Sequence, residues 1–245
     1  MKCLILAAGY ATRLYPLTEN FPKPLLEVGG KTILDWLVDD ITSSGEVDEY
    51  IVISNHKYID HFTIWAKSKT EKITVIDDGT CTNETRLGAV KDIQLAIDML
   101  SLNDDLLVIA GDNLLDFSLT KFINYAKQKN ATSVMRYYEH EEKRLCKSGV
   151  IVVDSDDRVL EMEEKPDSPK SNWCCPPFYF YIREDLKKIK QGILDGCKTD
   201  APGSMIAYLS NKTCIYAMEM PGKRYDIGTL ENYEQMSLLY NGIDK

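Results

Sequence analysis

Zinc-binding and disulfide patterns are missing from this sequence. It has only three histidines, and none of its seven cysteines shows Cys-x-x-Cys spacing, which excludes the usual cysteine and histidine patterns of structural zinc sites. Cys174 and Cys175 are adjacent and cannot easily close a normal disulfide with each other. An odd number of scattered cysteines is typical of a reducing compartment, so we expect a cytoplasmic protein.

Long apolar runs and an excess of positive charge are also missing. The first apolar stretch, residues 3–8, is too short for a signal-peptide core or a membrane span. With 29 Lys and Arg against 38 Asp and Glu, the net charge is −9. A surface of this sign is unsuited to gripping nucleic acid or an anionic membrane, so we expect neither as a partner.

No repeat, low-complexity run or linker interrupts the 245 residues. The length and the hydrophobic content of 44% suit one large globular domain or two small ones. In the first half, apolar runs predict buried strands at 2–7, 49–54, 72–77 and 105–110. Helical periodicity lies between them at 31–44 and 86–100, and more weakly at 57–67. This alternation predicts a parallel sheet with helices on both faces.

After Asp112 the pattern changes to mixed elements. Helices are predicted at 118–128, 183–195, 203–210 and 229–240. Strands are predicted at 131–138, 149–153, 158–163, 173–182 and 213–219, with a hairpin turn at Asp156-Asp157. The simplest account is one α/β domain with a second lobe inserted into or appended to the main sheet.

Two familiar phosphate-binding loops are absent: neither G-x-x-x-x-G-K-[ST] nor G-x-G-x-x-G occurs. The second absence argues against a generic Rossmann oxidoreductase. A different loop follows the first predicted strand, LAAGYATRLYPLT at 6–18, and FPKPLL follows at 21–26. Its small residues leave room for a ligand to approach backbone N–H groups, which bind phosphate oxygens.

Two cationic residues belong to this first segment, Arg13 and Lys23, and prolines on both sides of Lys23 restrict its backbone. A tight turn with a surface arginine and lysine is the alternative from the residues alone.

Two carboxylates are candidates to bind a cation beside Arg13 and Lys23. Asp112 ends the apolar run LLVIAGD, at the sheet edge where α/β proteins bind ligands, and Asp226 lies in YDIGT. Carboxylates at such an edge commonly hold Mg²⁺ beside a phosphate, whereas a turn or helix cap is the alternative for each.

The pattern L-A-A-G-x-x-T-R-L-x-P-L-T…P-K-P-L-L resembles the signature of the sugar-phosphate nucleotidyltransferases, or NDP-sugar pyrophosphorylases, of the glucose-1-phosphate thymidylyltransferase and uridylyltransferase type. The resemblance implies a three-layer α/β/α sandwich with a mixed, mainly parallel sheet, the Rossmann-like nucleotide-diphospho-sugar transferase fold. It implies an enzyme that joins an NTP to a sugar 1-phosphate and releases pyrophosphate, with Mg²⁺ as cofactor. We expect a single catalytic domain over 1–245, with a nucleotide-binding half at about 1–112, an acceptor-binding half at about 113–228 and a C-terminal helix at about 229–240. A homo-oligomer is left open.

The resemblance also assigns roles to matching residues. The catalytic residues would be Arg13, Lys23 and Asp112. Nucleotide binding would involve Leu6, Ala7, Ala8, Gly9, Arg13, Lys23, Asn83, Gly88 and Asp112. Acceptor binding would involve Gly149, Glu164, Lys165 and Pro177, and the metal ligands would be Asp112 and Asp226. A charged surface turn at 163–166, a plain polar loop at 79–85 and an ordinary strand-start glycine at 149 are the alternatives.

Three departures from the family pattern bear on the substrates. Ala11 stands where the family commonly has glycine, and Asn83 stands where many members have a base-recognising glutamine. Pro176-Pro177 replaces a segment that usually carries a glycine beside the sugar. The base therefore stays open, and a cytidylyltransferase acting on a small alcohol phosphate such as phosphocholine is an alternative. A non-catalytic nucleotide-sugar sensor is a further one.

Overall fold

The computed structural model describes residues 1–243. Its strands are β1 (Lys2–Leu6), β2 (Glu27–Val28), β3 (Lys31–Thr32), β4 (Glu49–Ser54), β5 (Ile73–Asp77), β6 (Leu106–Ala110), β7 (Asn113–Leu115), β8 (Ser133–Tyr138), β9 (Gly149–Val153), β10 (Val159–Glu164), β11 (Trp173–Cys175), β12 (Phe178–Tyr181), β13 (Tyr216–Glu219) and β14 (Arg224–Asp226). Its helices are α1 (Ile33–Ser43), α2 (Ile59–Lys67), α3 (Ala89–Leu100), α4 (Thr120–Lys129), α5 (Glu142–Leu145), α6 (Arg183–Leu194), α7 (Gly203–Leu209) and α8 (Leu230–Leu239). Within residues 1–243, every helix is too short or too polar to cross a membrane.

Two compact units divide the chain. The first is built from three separate segments: 1–86, 110–121 and the chain from 221 onward. The second contains 87–109 and 122–220.

Parallel strands form the sheet of the first unit, where β4 lies between β1 and β5. Leu4 pairs with Ile51, and Ile51 pairs with Thr74. The β1 and β4 interiors are almost fully buried, because parallel sheets are covered on both faces. The carboxyl ends of these strands therefore meet at one edge, which carries the loop that follows Leu6.

A short antiparallel ribbon of β7 and β14 belongs to the same unit. Tyr225 pairs with Leu114, whose side chain is fully buried in an apolar cluster with Leu14, Ile33 and Tyr240. The Tyr240 hydroxyl also donates to the Leu115 carbonyl at 2.6 Å. These contacts tie the C-terminal segment to the strands of the first half of the chain.

The second unit has mixed strands in the order β10-β9-β11-β8-β12-β6, with β13 parallel to β8. The β9–β10 pair is an antiparallel hairpin with its turn around Asp156-Asp157, as the sequence predicts. Asp157 takes a left-handed conformation at this turn. Helix α3 contacts α6, and α7 lies against β10.

The predicted α/β fold with a mixed sheet is confirmed, and most predicted elements lie within a few residues of their expected positions. The single strand predicted over 173–182 is wrong. It is divided into β11 and β12 at Pro176-Pro177, because proline has no N–H to continue a ladder. The helix predicted from residue 86 begins at Ala89, after Gly88 with φ 90°. The β7–β14 ribbon is not anticipated by the sequence pattern.

Candidate active site

The loop after β1 leaves open space beside its backbone. Ala7 and Ala8 are buried, and Asn55 fixes the loop by donating to the Ala8 carbonyl at 3.0 Å. Gly9 is exposed, and a Cβ at this position would meet no atom within 4 Å. This is the geometry that an anionic group needs to approach backbone N–H donors.

The backbone conformation of Ala11 explains why a glycine suits this position of the loop. It has φ 46° and ψ 41°, a left-handed conformation that costs an L-residue roughly 1–2 kcal/mol. Its carbonyl accepts from the Leu14 backbone N–H at 2.9 Å and from the Thr18 hydroxyl at 2.8 Å. The loop therefore keeps its left-handed turn with alanine in place of glycine, under strain.

Lys23 is the central cation of the first unit. It opens a 3-10 turn (Lys23–Leu25) between Pro22 and Pro24, and only 6% of its surface is exposed. Its ammonium donates to Asp112 Oδ2 at 2.8 Å and to Asp226 Oδ1 at 3.2 Å. Burial of a lysine is costly unless it is paired, so these two carboxylates are its compensation.

The β7–β14 ribbon brings the two carboxylates together across more than a hundred residues of sequence. In its register, Asp226 pairs with Asn113, the neighbour of Asp112. The Asp112 and Asp226 side chains are 41% and 48% exposed, whereas the lysine between them is buried. One side of the carboxylate pair is therefore open to a ligand.

Asn113 and Arg224 hold Asp112 in place, and neither residue is predicted from the sequence. The Asn113 amide donates to Asp112 Oδ1 at 3.0 Å and to the Ala110 carbonyl at 3.1 Å. The Arg224 guanidinium donates to Asn113 Oδ1 at 2.7 Å. Asn113 is 1% exposed, so its amide needs hydrogen-bond partners. The sequence signal that points to it is a lone amide beside the apolar residues of NLL.

Neighbouring positive charges determine the protonation of the Asp112 carboxyl. Partial burial raises the pKa of its carboxyl, but the charge and hydrogen bond of Lys23, together with the charge of Arg224, lower it by more, so that the pKa lies below its ordinary value. Asp112 is therefore a carboxylate near neutral pH. Arg13 is exposed nearby, with Nη1 3.9 Å from where a Cβ on Gly228 would lie. The structure thus brings Lys23, Asp112 and Asp226 together and places Arg13 beside Gly228, two residues after Asp226.

The donor set fits a hard divalent cation. Two carboxylate oxygens converge on one positive group, the Lys23 ammonium. Within residues 1–243, His, Cys, Asp and Glu form no group of three or more that would hold a metal by themselves. Mg²⁺ is commonly bound by one or two carboxylates together with substrate phosphates and water, so two aspartates suffice if a phosphorylated ligand completes the shell.

Gly149, Glu164 and Lys165 form a cluster in the second unit. Glu164 pairs with Gly149 in the β9–β10 ladder, and a Cβ on Gly149 would lie 3.0 Å from Glu164 Oε2. A Cβ on Gly203 would come within 2.2 Å of the same oxygen, so glycine at both positions makes room for this carboxylate. Lys165 is exposed and has φ 52°, a strained conformation that clusters at functional sites.

Burial controls the state of Glu164. Burial raises the pKa of the Glu164 carboxyl, and the charge of Asp200 adds to this increase. The charge of Lys165 lowers the pKa by less, so that the net pKa is raised. The glutamate is thus less solvated than a surface carboxylate, which suits an acceptor of hydrogen bonds from a bound ligand.

The four remaining predicted site residues each have a different local environment. Gly88 is buried, and a Cβ there would lie 2.5 Å from the Thr199 carbonyl, so the close approach of two backbones requires glycine. Asn83 opens an exposed 3-10 turn, and its carbonyl accepts from Arg86 at 2.9 Å. Pro177 is half-buried between β11 and β12. Leu6, the last residue of β1, is also half-buried.

A small-residue loop after a parallel strand, together with a lysine bound by two carboxylates, is typical of α/β proteins that bind phosphorylated ligands. The family model for nucleotidyl transferases matches residues 2–241 of this chain. The chain belongs to the nucleotidyl transferase family. Members of this family generally use divalent metal ions.

Relatives and solved structures agree with this assignment. The bifunctional protein GlmU of Methanococcus aeolicus is 34% identical over 236 residues, which cover 93% of this chain and 51% of that protein. A Sulfolobus acidocaldarius protein assigned as a mannose-1-phosphate guanyltransferase is 28% identical over 240 residues, covering 97% and 62%. The chain thus spans about half to three fifths of the length of these relatives.

Two solved structures share the fold. One, assigned as a glucose-1-phosphate thymidylyltransferase from Bacillus anthracis and solved with sucrose, has a TM-score of 0.79 at 23% identity, covering 100% of this chain and 97% of that one. The other, a UDP-glucose pyrophosphorylase complexed with UDP-glucose, has a TM-score of 0.79 at 21% identity, covering 96% of each chain. The Rossmann-like NDP-sugar transferase fold is confirmed.

Proposed function

We propose that this protein joins a nucleoside triphosphate to a sugar 1-phosphate and releases pyrophosphate, giving an NDP-sugar. Family membership supports the reaction, and the observation that carries it is the convergence of Asp112 and Asp226 on Lys23. An acceptor phosphate is already anionic near pH 7, so the reaction needs no protein base. It needs alignment and relief from anion repulsion, which cations supply.

The residues of the first unit would act on the nucleotide. The small-residue loop (6–9) and Arg13 would bind its phosphates, and Lys23 would stabilise the charge that develops at the α-phosphate. Asp112 and Asp226 would hold Mg²⁺, which supplies charge neutralisation when bound. Asn83 is proposed to contact the base. Gly88 belongs to the second unit, and its nucleotide-binding role is also a proposal. The open backbone at Gly9 and the exposure of Arg13 support their proposed role in binding the nucleotide phosphates.

Residues of the second unit would bind the acceptor. Glu164 would accept hydrogen bonds from its hydroxyls, and Lys165 would contact its phosphate. The room that Gly149 and Gly203 leave around the Glu164 carboxylate supports this role. Pro177 is proposed to line the acceptor subsite. The seven cysteines are free, which supports a reducing, cytoplasmic compartment.

A substrate panel tests the proposal. UTP, dTTP, CTP and GTP are each combined with sugar 1-phosphates and with phosphocholine, and pyrophosphate release is measured. We expect release with one or two nucleotides and a sugar 1-phosphate. Release with phosphocholine alone would favour the alcohol-phosphate alternative. Binding of an NDP-sugar without turnover of any pair would indicate a sensor.

The Asp112→Asn variant links the activity to the site. It keeps the side-chain shape but removes a carboxylate charge from the Lys23 pair. We expect Mg²⁺-dependent pyrophosphate release to be abolished while circular dichroism shows a folded protein. Full activity in this variant would refute the metal assignment.

A further inference from the structure

Both proposed metal ligands already bind a side chain of the protein. Asp112 Oδ1 accepts from the Asn113 amide, and Asp112 Oδ2 accepts from the Lys23 ammonium. The same ammonium holds Asp226 Oδ1. Because Asn113 binds Oδ1 of Asp112, Oδ2 is the oxygen left for a cation, and Lys23 binds that oxygen.

We propose that Lys23 is an internal competitor for the divalent cation, holding the carboxylate pair in the ligand-free protein and giving it up when cation and nucleotide arrive. This inference rests on the proposed function, because it assumes that Asp112 and Asp226 hold the metal. It assigns Lys23 a positioning role in the free protein in addition to its role toward the phosphates.

Charge explains why the lysine and the metal exclude each other. The two carboxylates and the Lys23 ammonium leave one negative charge, which the nearby Arg224 guanidinium offsets, so the ligand-free site costs little to maintain. A divalent cation added beside an unmoved ammonium would instead face strong repulsion at a separation of a few ångströms. The ammonium is therefore expected to withdraw from Asp112 and Asp226 when the cation binds.

Burial explains why the withdrawal depends on the nucleotide. Lys23 is 6% exposed, so its ammonium cannot simply turn into solvent without moving its stem. An anionic phosphate on the neighbouring loop offers a new partner of the right charge. Cation and nucleotide binding would then be coupled, with the free protein binding the cation weakly.

The test measures Mn²⁺ binding to the substrate-free protein by electron paramagnetic resonance. The variants are Lys23→Met and Lys23→Gln, which remove the ammonium but keep an unbranched side chain. We expect Mn²⁺ to bind at least about tenfold more tightly to both than to the wild type. Adding Asp226→Asn to Lys23→Met should return binding to the weak level, which locates the ion at this carboxylate pair.

Two matched controls separate competition from general attraction. Lys31→Met removes a charge that pairs with Asp39 on the surface of the same unit. Arg13→Met removes the exposed guanidinium that lies beside Gly228. Both should change Mn²⁺ affinity much less than Lys23→Met does. An equal gain in Arg13→Met, or an unchanged or weaker affinity in both Lys23 variants, would overturn the proposal.

Thermal unfolding covers the case in which the Lys23 variants are unstable. If the cation takes the place of the ammonium, millimolar Mn²⁺ should raise the Tm of each variant more than that of the wild type. A variant that stays unfolded in Mn²⁺ would contradict the replacement. The measurements use no substrate, so inactivity in the substrate panel would not produce or conceal these results.

Discussion

Removal of the Arg224 guanidinium tests how the carboxylate site is oriented. In Arg224→Met, Asn113 loses the donor that lies 2.7 Å from its Oδ1, and Asn113 is only 1% exposed in the wild-type protein. Hydrogen bonds to charged groups contribute about 1.5–3 kcal/mol, and the half-buried position of Arg224 favours the lower end. About 1.5 kcal/mol corresponds to roughly a tenfold change in an equilibrium constant.

We expect this loss to appear in the metal dependence of the reaction. Asn113 would no longer be fixed in the orientation that donates to Asp112 Oδ1, so the carboxylate would be less well placed for a cation. Loss of the Arg224 charge by itself reduces repulsion of the cation. Because we expect the lost orientation of Asp112 to outweigh this effect, the Mg²⁺ concentration that gives half-maximal pyrophosphate release should rise by up to roughly tenfold. The kcat at saturating Mg²⁺ should change much less.

The neighbouring Lys223 gives a matched control. Its side chain is exposed, and Lys223→Met removes one positive charge from the adjacent position without touching the Asn113 contact. Mg²⁺ titrations of the two variants are compared at constant ionic strength. Equal Mg²⁺ dependence in Arg224→Met, Lys223→Met and the wild type would refute the argument that Arg224 orients Asp112 through Asn113.

Two further predictions concern pH and stability. Because burial raises the pKa of Glu164, its ionised form opposes folding above that pKa, so Glu164→Gln should raise the Tm near pH 7. The gain should shrink as pH falls through the raised pKa towards the ordinary value of 4.5, and a Tm difference that is constant from pH 4 to 8 would contradict it. Ala11→Gly should raise the free energy of unfolding by about 0.5–1 kcal/mol. Glycine relieves the left-handed strain at φ 46°, and the greater backbone entropy of glycine in the unfolded chain cancels only part of this gain. Urea unfolding measures this change, and a lower stability would argue against strain at residue 11.

The core strands of the first unit were predictable because they are buried on both faces. The runs around Leu4 and Ile51 are continuous and apolar, as parallel strands require. Helix α1 was equally clear, since Thr32 and Asp35 form a capping box before its apolar stripe. These features are local and appear directly in the sequence.

The β7–β14 ribbon was not predictable in the same way. Each strand has three residues, too few for an alternating pattern, and their partners are separated by about a hundred positions. The sequence indicated Asp112 and Asp226 as separate candidates but contained no signal for the register that joins them. Arg224 looked like an ordinary charged residue, because its role depends on this tertiary pairing.

The position of Asp226 late in the chain sets an order of events during synthesis. Ribosomes extend the chain from the N-terminus, so the first loop, Lys23 and Asp112 are made long before their last partner. Until Asp226 and the Tyr240 segment emerge, the first unit lacks both its second carboxylate and part of its apolar cluster. Between the synthesis of Asp112 and that of Asp226, a nascent chain therefore has half a cation site, and the pairing of β14 with β7 brings in the second carboxylate.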